Sequence, residues 1–470
     1  MSKSTKVYLS NKAYVYNPTT DMVRWIQCNL TLDNPEYHKK VQMGLYVGNT
    51  QPYLILYERR GDTYILPTGV VDNFLFLYKD QIGSVERSRE LDLGMYTYNS
   101  TISLFPYQEK AIKHCTRSGV VVMPCGSGKT QTALELVARM GVRALWITHT
   151  HELLQQSKNR ALSCYQLPPD CFGDITEGKV NVGRLITFAT VQTLSNIDLE
   201  PYKSYWDLVI VDECHKAVGT PTKLMMFYKC VSALDAPIKI GLTATPNRSD
   251  GLETCMYALL GNKLCEITED EVATNRVPLE VHMVHSGVYE PNENRILKYD
   301  GTIDFNGLLE DLCEDETRNK AISEYVNYVN SVGKTVLVLS DRVNHLHKLR
   351  HWVGEDYTAV ICAKKDQSRK NALENLKHKN LRCLFATYAL AKEGLDIPSL
   401  DAVFFATPKK DATIIVQSAG RAGRKCDGKA VGYVIDWVDT QFSMLTNYAK
   451  RRKSIYKKHN YQIVEEFYEE

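Results

Sequence analysis

Residues 120–130 read Val-Val-Val-Met-Pro-Cys-Gly-Ser-Gly-Lys-Thr, and that stretch decides the fold. The β-branched run is a buried strand, the Pro and the two glycines are a turn, and the apolar-periodic residues after Thr130 are a helix. A strand, a glycine-rich turn and a helix N-terminus together make a phosphate cradle. The glycines let backbone N–H groups curl around the anion, and the helix end adds positive potential. Gly126, Ser127 and Gly128 line that cradle, Lys129 reaches the β and γ oxygens of a triphosphate, and the Thr130 hydroxyl ligates Mg²⁺. Met123 stands where the general P-loop pattern has its first glycine, so the pattern is met only at its phosphate-binding end.

Downstream, the apolar run 208–211 ends in Asp212 and Glu213. By itself an Asp-Glu pair is usually surface charge. At the end of a hydrophobic strand that follows a P-loop it suits hydrolysis, with Asp212 holding Mg²⁺ and Glu213 orienting and deprotonating the attacking water. Further apolar runs at 144–148, 184–188 and 238–242 alternate with helix-like stretches, the pattern of buried parallel strands with crossover helices. A second such series at 335–339, 359–362, 383–386, 402–406 and 431–435 predicts a second α/β lobe, joined to the first near residues 266–278.

The chain has 470 residues, 44% of them hydrophobic, enough for two or three cored domains. Lys plus Arg (57) nearly balances Asp plus Glu (55), so any electropositive track must be local. The 13 cysteines stand singly with no Cys-x-x-Cys pair, which fits reduced thiols better than disulfides or a zinc cluster. No run approaches the roughly 18 apolar residues of a membrane span, so a cytoplasmic protein with no membrane partner is expected. Residues 1–98 read as a small, mostly β accessory domain, with Arg59, Arg60, Gly61 and Asp62 forming a hairpin turn. Arg59 and Arg60 are candidate nucleic-acid contacts; the plainer reading is a solvated turn over a Tyr-packed core. Residues 441–470 read as an exposed charged helix or tail, and His345, His347 and His351 as a solvated helix face.

The tetrad Asp212, Glu213, Cys214, His215 resembles motif II of the DExH branch of superfamily 2 helicases, and the other motifs of that family follow in order across residues 104–436. Phe105 to Gln108 resemble the adenine-side element, with Phe105 to stack on the base and Gln108 to read its edge. Residues 148–155 and 187–194 resemble motifs Ia and Ib, making Thr148 and Thr190 nucleic-acid contacts. Residues 242–246 resemble motif III, where Thr243 and Thr245, with His215, couple the nucleotide to the nucleic-acid path. Residues 336–342 resemble motif IV, and residues 386–398 motif V, with Thr387 as a phosphate contact and Gly394 and Asp396 facing the nucleotide. Residues 417–424 fit motif VI, in which Gln417, Arg421 and Arg424 are catalytic, the two arginines placing charge on the γ-phosphate.

The resemblance implies an α/β chain of two tandem RecA-like, P-loop NTPase lobes: residues 99–268 as lobe 1 and 269–440 as lobe 2, after the accessory domain 1–98. It implies ATP and Mg²⁺ as cofactors, with the triphosphate meeting Lys129 and Glu213 from one lobe and Arg421 and Arg424 from the other. The run 245–252 is similar to the branch that holds XPB and phage-encoded branch-migration and recombination DNA helicases. The expected activity is ATP-dependent unwinding or branch migration of forked, branched or single-stranded DNA by a monomer, in the host cytoplasm if phage-encoded. The alternatives are a double-stranded DNA translocase, an RNA helicase, and a nucleotide-switched nucleic-acid clamp. Retention of Lys129, Glu213, Arg421 and Arg424 together argues against the clamp, which has no use for a hydrolytic base.

Overall fold

The computed structural model describes residues 4–468 apart from 125, 217–220, 245–250, 273–275, 299–300, 362–370, 373, 376–379, 393–396, 398 and 427. The chain divides into two compact units, one built from Met1–Pro124 and Gly128–Thr268, the other centred on Glu269–Glu470.

The first unit contains an eight-stranded sheet in the order Lys179–Asn181, Phe172–Thr176, Ile186–Thr190, Ala144–Thr148, Leu208–Val211, Ile238–Thr243, Gly119–Val122, Lys263–Glu266. All neighbours are parallel except the first pair. Every residue of Ala144–Thr148, Leu208–Val211 and Gly119–Val122 is buried, because helices cover both faces of a parallel sheet; that is why the strands are uninterrupted apolar runs. The strand Ile238–Thr243 lies between the strand leading into the P-loop and the one carrying the acidic pair.

The front of the chain departs from the expected mostly β domain. Its five-stranded sheet runs Glu58–Arg60, Thr63–Leu66, Ala13–Tyr16, Thr5–Leu9, Ile82–Arg87, and three helices accompany it. Thr20–Asn29 begins where the Thr19 hydroxyl accepts from Met22 N and buries Met22 and Ile26 at i, i+4 spacing. Pro35–Gln42 has Pro at its first position and Asn34 as its cap, and Val71–Leu77 buries Val71 and Phe74. These caps were legible signals; the density of tyrosines masked them.

Nor is this module free-standing. Val7, Leu66, Val71 and Phe74 share one hydrophobic core with Leu252, Met256, Leu259 and Leu260 of the first lobe. The backbones come close enough to require glycine at Gly69, where a Cβ would lie 2.4 Å from Gly261 N. Polar ties surround that core: the Ser10 and Ser88 hydroxyls donate to Asp235 at 3.1 and 2.6 Å, and Arg89 pairs with Asp207.

The second unit is built on a wholly parallel seven-stranded sheet, Thr358–Ile361, Cys383–Thr387, Val336–Ser340, Ala402–Phe405, Gly432–Asp439, Leu279–Ser286, Gln462–Phe467. Of the charged helix or tail expected over residues 441–470, the helix forms at Ser443–Lys458, after which the chain returns to the sheet and pairs with Leu279–Ser286 instead of ending in solvent. Within that helix Arg452, read as solvated, is buried against Asp436 at 2.8 Å, and Tyr456 donates to the same carboxylate. His345 is also buried rather than solvated, bonded to Ser340 Oγ and Asn319 Oδ1, each at 2.8 Å. Burial, with Arg318 and Lys348 nearby, pushes its pKa well below the ordinary imidazole value and keeps the ring neutral.

Among the described residues no helix is long and apolar enough to cross a membrane, and the described cysteines are free thiols.

Candidate active site

The P-loop forms as its sequence requires. Gly126 and Gly128 adopt positive φ (75° and 79°), with the buried Ser127 between them, and the helix Lys129–Met140 starts at once. Gly128 has a second constraint, because a Cβ there would sit 2.4 Å from Gln108 Nε2. Thr130 lies in the first helical turn. The Lys129 ammonium donates to the carbonyls of Met123 and Pro124 at 3.4 and 3.5 Å and stands 3.8 Å from Glu213 Oε1. The lysine and the acid therefore share one small volume at the carboxyl ends of parallel strands, where such sheets bind ligands.

Asp212 is buried, and its Oδ1 accepts from Glu213 N at 2.9 Å. Glu213 takes φ 48°, unusual for a side-chain-bearing residue; backbone strain of this kind gathers at functional sites. Two contacts beyond it meet at one ring nitrogen. His215 Nδ1 lies 3.3 Å from Glu213 Oε2 and 2.9 Å from the Thr243 hydroxyl. Thr243 ends the strand Ile238–Thr243, so His215 Nδ1 ties motif II to the start of motif III. Cys214, fully buried with its thiol directed to Met256 Sδ at 3.4 Å, has its pKa pushed well up by burial.

Gln108, the expected reader of the base edge, is bonded within the fold. Its Oε1 accepts from Phe105 N at 2.9 Å, closing the start of the helix Pro106–Lys113, and its amide faces Gly128 O at 3.5 Å. Phe105 is half exposed and stacks on Tyr107, with ring centroids 5.8 Å apart and planes 9° apart.

The Ia and Ib loops also differ in detail. Thr148 and Thr190 are buried; the Thr148 hydroxyl donates to Thr150 O at 3.0 Å, and that of Thr190 to Thr193 Oγ1 at 3.1 Å. Their hydroxyls hold the loops rather than face solvent. Gln192 ties the two loops by donating to His149 O at 2.8 Å, a link between residues 43 apart that no local pattern announces. Arg59 and Arg60 are exposed on the expected hairpin, Arg60 pairing with Glu58 at 2.9 Å and Arg59 lying 5.6 Å from the Tyr64 ring centroid.

In the second unit Thr387 ends the strand Cys383–Thr387, its hydroxyl accepting from Leu390 N at 3.4 Å. Gln417 is buried on the helix Ala412–Ala419, which Asp411 caps, and Arg421 and Arg424 lie in the turn that follows. Arg424 forms an antiparallel bridge with Arg276. Gly394, Asp396 and Thr245 lie outside the described residues, as does most of the run 245–252.

The family described as "Type III restriction enzyme, res subunit" matches residues 101–248, and "Helicase conserved C-terminal domain" matches residues 317–426. A protein of Acanthamoeba polyphaga mimivirus, provisionally described as an ATP-dependent RNA helicase, is 24% identical over 98% of this chain and 87% of its own length. The XPB2 protein of Sulfurisphaera tokodaii, named as a DNA 3'-5' translocase, is 23% identical over 70% of this chain and 80% of its own. Among solved structures, Saccharomyces cerevisiae Dbp5 bound to RNA and ADP BeF3 covers 85% of this chain and 94% of its own, at 15% identity and a TM-score of 0.55. That level of likeness speaks to the two RecA-like lobes and to nothing finer. With the P-loop lysine and the DExH acids assembled at one sheet edge, the chain belongs to the superfamily 2 helicases, on the side related to XPB, and is a nucleic-acid-dependent ATPase.

Proposed function

We propose that the chain is a DNA helicase that unwinds or branch-migrates forked and junction DNA, acting as a monomer. The observation that carries the reading is the pair of contacts at His215 Nδ1, 3.3 Å from Glu213 Oε2 and 2.9 Å from the Thr243 hydroxyl, which joins the hydrolytic acid to the last residue of the strand that opens motif III. In this reading Lys129 and the P-loop amides bind the β and γ phosphates, and Glu213 takes the proton of the attacking water. Thr130 and Asp212 are hard oxygen donors that would hold Mg²⁺, and the ion would neutralise phosphate charge. Gln417, Arg421 and Arg424 supply the γ-phosphate contacts of the second lobe, and the stacked Phe105 and Tyr107 offer an aromatic face to the base. Contacts to the nucleic-acid backbone fall to the Ia and Ib segments, to Thr387 and to Arg59 and Arg60.

The Sulfurisphaera tokodaii relative is named a DNA translocase, and that word favours our second reading, a double-stranded DNA translocase that moves without separating the strands. Measuring ATPase stimulation and unwinding on matched single-stranded, forked, four-way and RNA substrates at stated salt, beside triplex displacement, separates the two. Fork or four-way unwinding supports the first reading, triplex displacement alone supports the second, and stimulation by RNA alone excludes both. Lys129→Ala and Glu213→Gln should each cut stimulated turnover by about 100-fold or more. Wild-type turnover in Glu213→Gln would remove the general-base assignment.

A further inference from the structure

The segment just before the strand Leu279–Ser286 does more than connect. Arg276 pairs in antiparallel fashion with Arg424, and Val277 N donates to Gly423 O at 3.1 Å, so the segment is hydrogen-bonded to the motif VI turn. Residues directly opposite in an antiparallel pair send their side chains to the same face, with Cβ atoms about 5 Å apart. The Arg276 side chain therefore shares a face with that of Arg424.

Its guanidinium is also anchored. Nη1 donates to Glu269 Oε2 at 2.6 Å, and Glu269 is itself 3.7 Å from His459 Nδ1 on the C-terminal segment. Nη2, on the same planar fork, is buried and has no hydrogen-bond partner among the described residues. A buried cationic donor left unsatisfied is costly, and a site where that cost persists calls for an explanation. The fork geometry supplies one: one nitrogen fixed by a carboxylate leaves the other aimed and ready for a second anion.

We infer that Arg276 is a third arginine of the motif VI turn, donating through Nη2 to a terminal phosphate oxygen of ATP beside Arg424, with Glu269 as the residue that positions it. This rests on the reading of motif VI as the γ-phosphate contact of the second lobe. Because the contact goes to the terminal phosphate, it discriminates ATP from ADP.

The experiment measures the affinity of the full chain for a non-hydrolysable ATP analogue and for ADP, with kcat/KM for ATP, in Arg276→Gln, Arg276→Lys, Glu269→Gln and Arg424→Gln. Arg276→Gln should weaken analogue binding and lower kcat/KM by roughly 10- to 100-fold, with ADP affinity changed less than about twofold. Arg276→Lys keeps the charge but loses the second arm of the fork, so its analogue-over-ADP preference should fall as well. It decides the matter should the Gln variant not fold. Glu269→Gln should lose part of the same preference through misplacement of the guanidinium. Equal losses for analogue and ADP in the Arg276 variants, or no loss, would overturn the inference. If Arg424→Gln alone loses the preference, the reading of motif VI stands and the role of Arg276 fails; if no variant loses it, the reading of motif VI fails with it.

Discussion

Lys239 lies fully buried on the central strand Ile238–Thr243, its ammonium donating to the Thr68 hydroxyl at 3.4 Å where the front module meets the first lobe. Burial pushes its pKa down to about 8, Asp235 pulling the other way. At neutral pH the lysine is charged in both the folded and unfolded states, so the full cost of burying the ammonium is present. Between about 8 and the unfolded value of 10.5 the unfolded state holds the extra proton, and stability contributed at this site rises with pH. Lys239→Met should therefore be more stable at pH 7 by on the order of 2–3 kcal/mol, with the gap closing as pH rises through that window. Denaturant melts at pH 7 and pH 10 check this, and a gap that stays constant would rule out the charge as its origin. The residues we propose as catalytic were legible at this scale because a P-loop and an acidic pair are each contiguous in the chain. The inward hydroxyls of Thr148 and Thr190 were not, since Thr150 O and Thr193 Oγ1 receive them only once the loops have folded.

The strand Gln462–Phe467 at the edge of the second sheet is held by side chains as well as by its backbone ladder. His282 Nδ1 lies 2.5 Å from Glu466 Oε1, the Tyr325 hydroxyl donates to Glu466 Oε2 at 2.6 Å, and Glu465 meets both Lys453 and His285. Although burial raises both carboxyls, Lys453 and His285 hold Glu465, and Tyr325 and His282 hold Glu466, below the ordinary carboxylate value. A carboxyl lowered in the folded state adds stability above its ordinary pKa and loses it as pH falls through the folded one. Amide exchange at residues 462–467, corrected for intrinsic chemistry, should accelerate as pH drops below the ordinary carboxylate range, and Glu466→Gln should show faster exchange already at pH 7. Equal protection in the variant would mean the backbone ladder alone holds the strand. From the sequence, Gln-Ile-Val-Glu-Glu-Phe looked like a solvated end because the partners of its acids lie as much as 184 residues away.

Across the whole molecule, the shared core of the front module and the first lobe changes what a truncation can report. If residues 1–98 were an independent accessory domain, their removal would spare basal ATPase. With Val71 and Phe74 packed in one cluster with Met256 and Leu259, removal instead uncovers apolar surface on the catalytic lobe. The truncated chain should melt at least about 10 °C below the full one, and retention of the full melting temperature would restore the independent-domain reading. The hairpin is better probed by Arg59→Ala with Arg60→Ala, both exposed, which should slow fork unwinding most at low salt and leave the melting temperature in place. Unwinding equal to wild type at every salt concentration would take the hairpin out of the mechanism.

Hydropathy and motifs read along the chain were enough to foresee the phosphate cradle and the two parallel sheets, for reasons of locality. Lys129, Thr130, Asp212 and Glu213 sit on contiguous strand-to-turn segments, and strands buried on both faces must be unbroken apolar runs. It took three-dimensional packing to reveal that the front module is joined to the first lobe at Gly69, that Arg452 and His345 are interior, and that Gln462–Phe467 is a strand of the second sheet. In each case a polar or small residue is explained by a distant partner, and hydropathy read along the chain cannot distinguish a charge that meets water from one that meets its counter-ion across the fold.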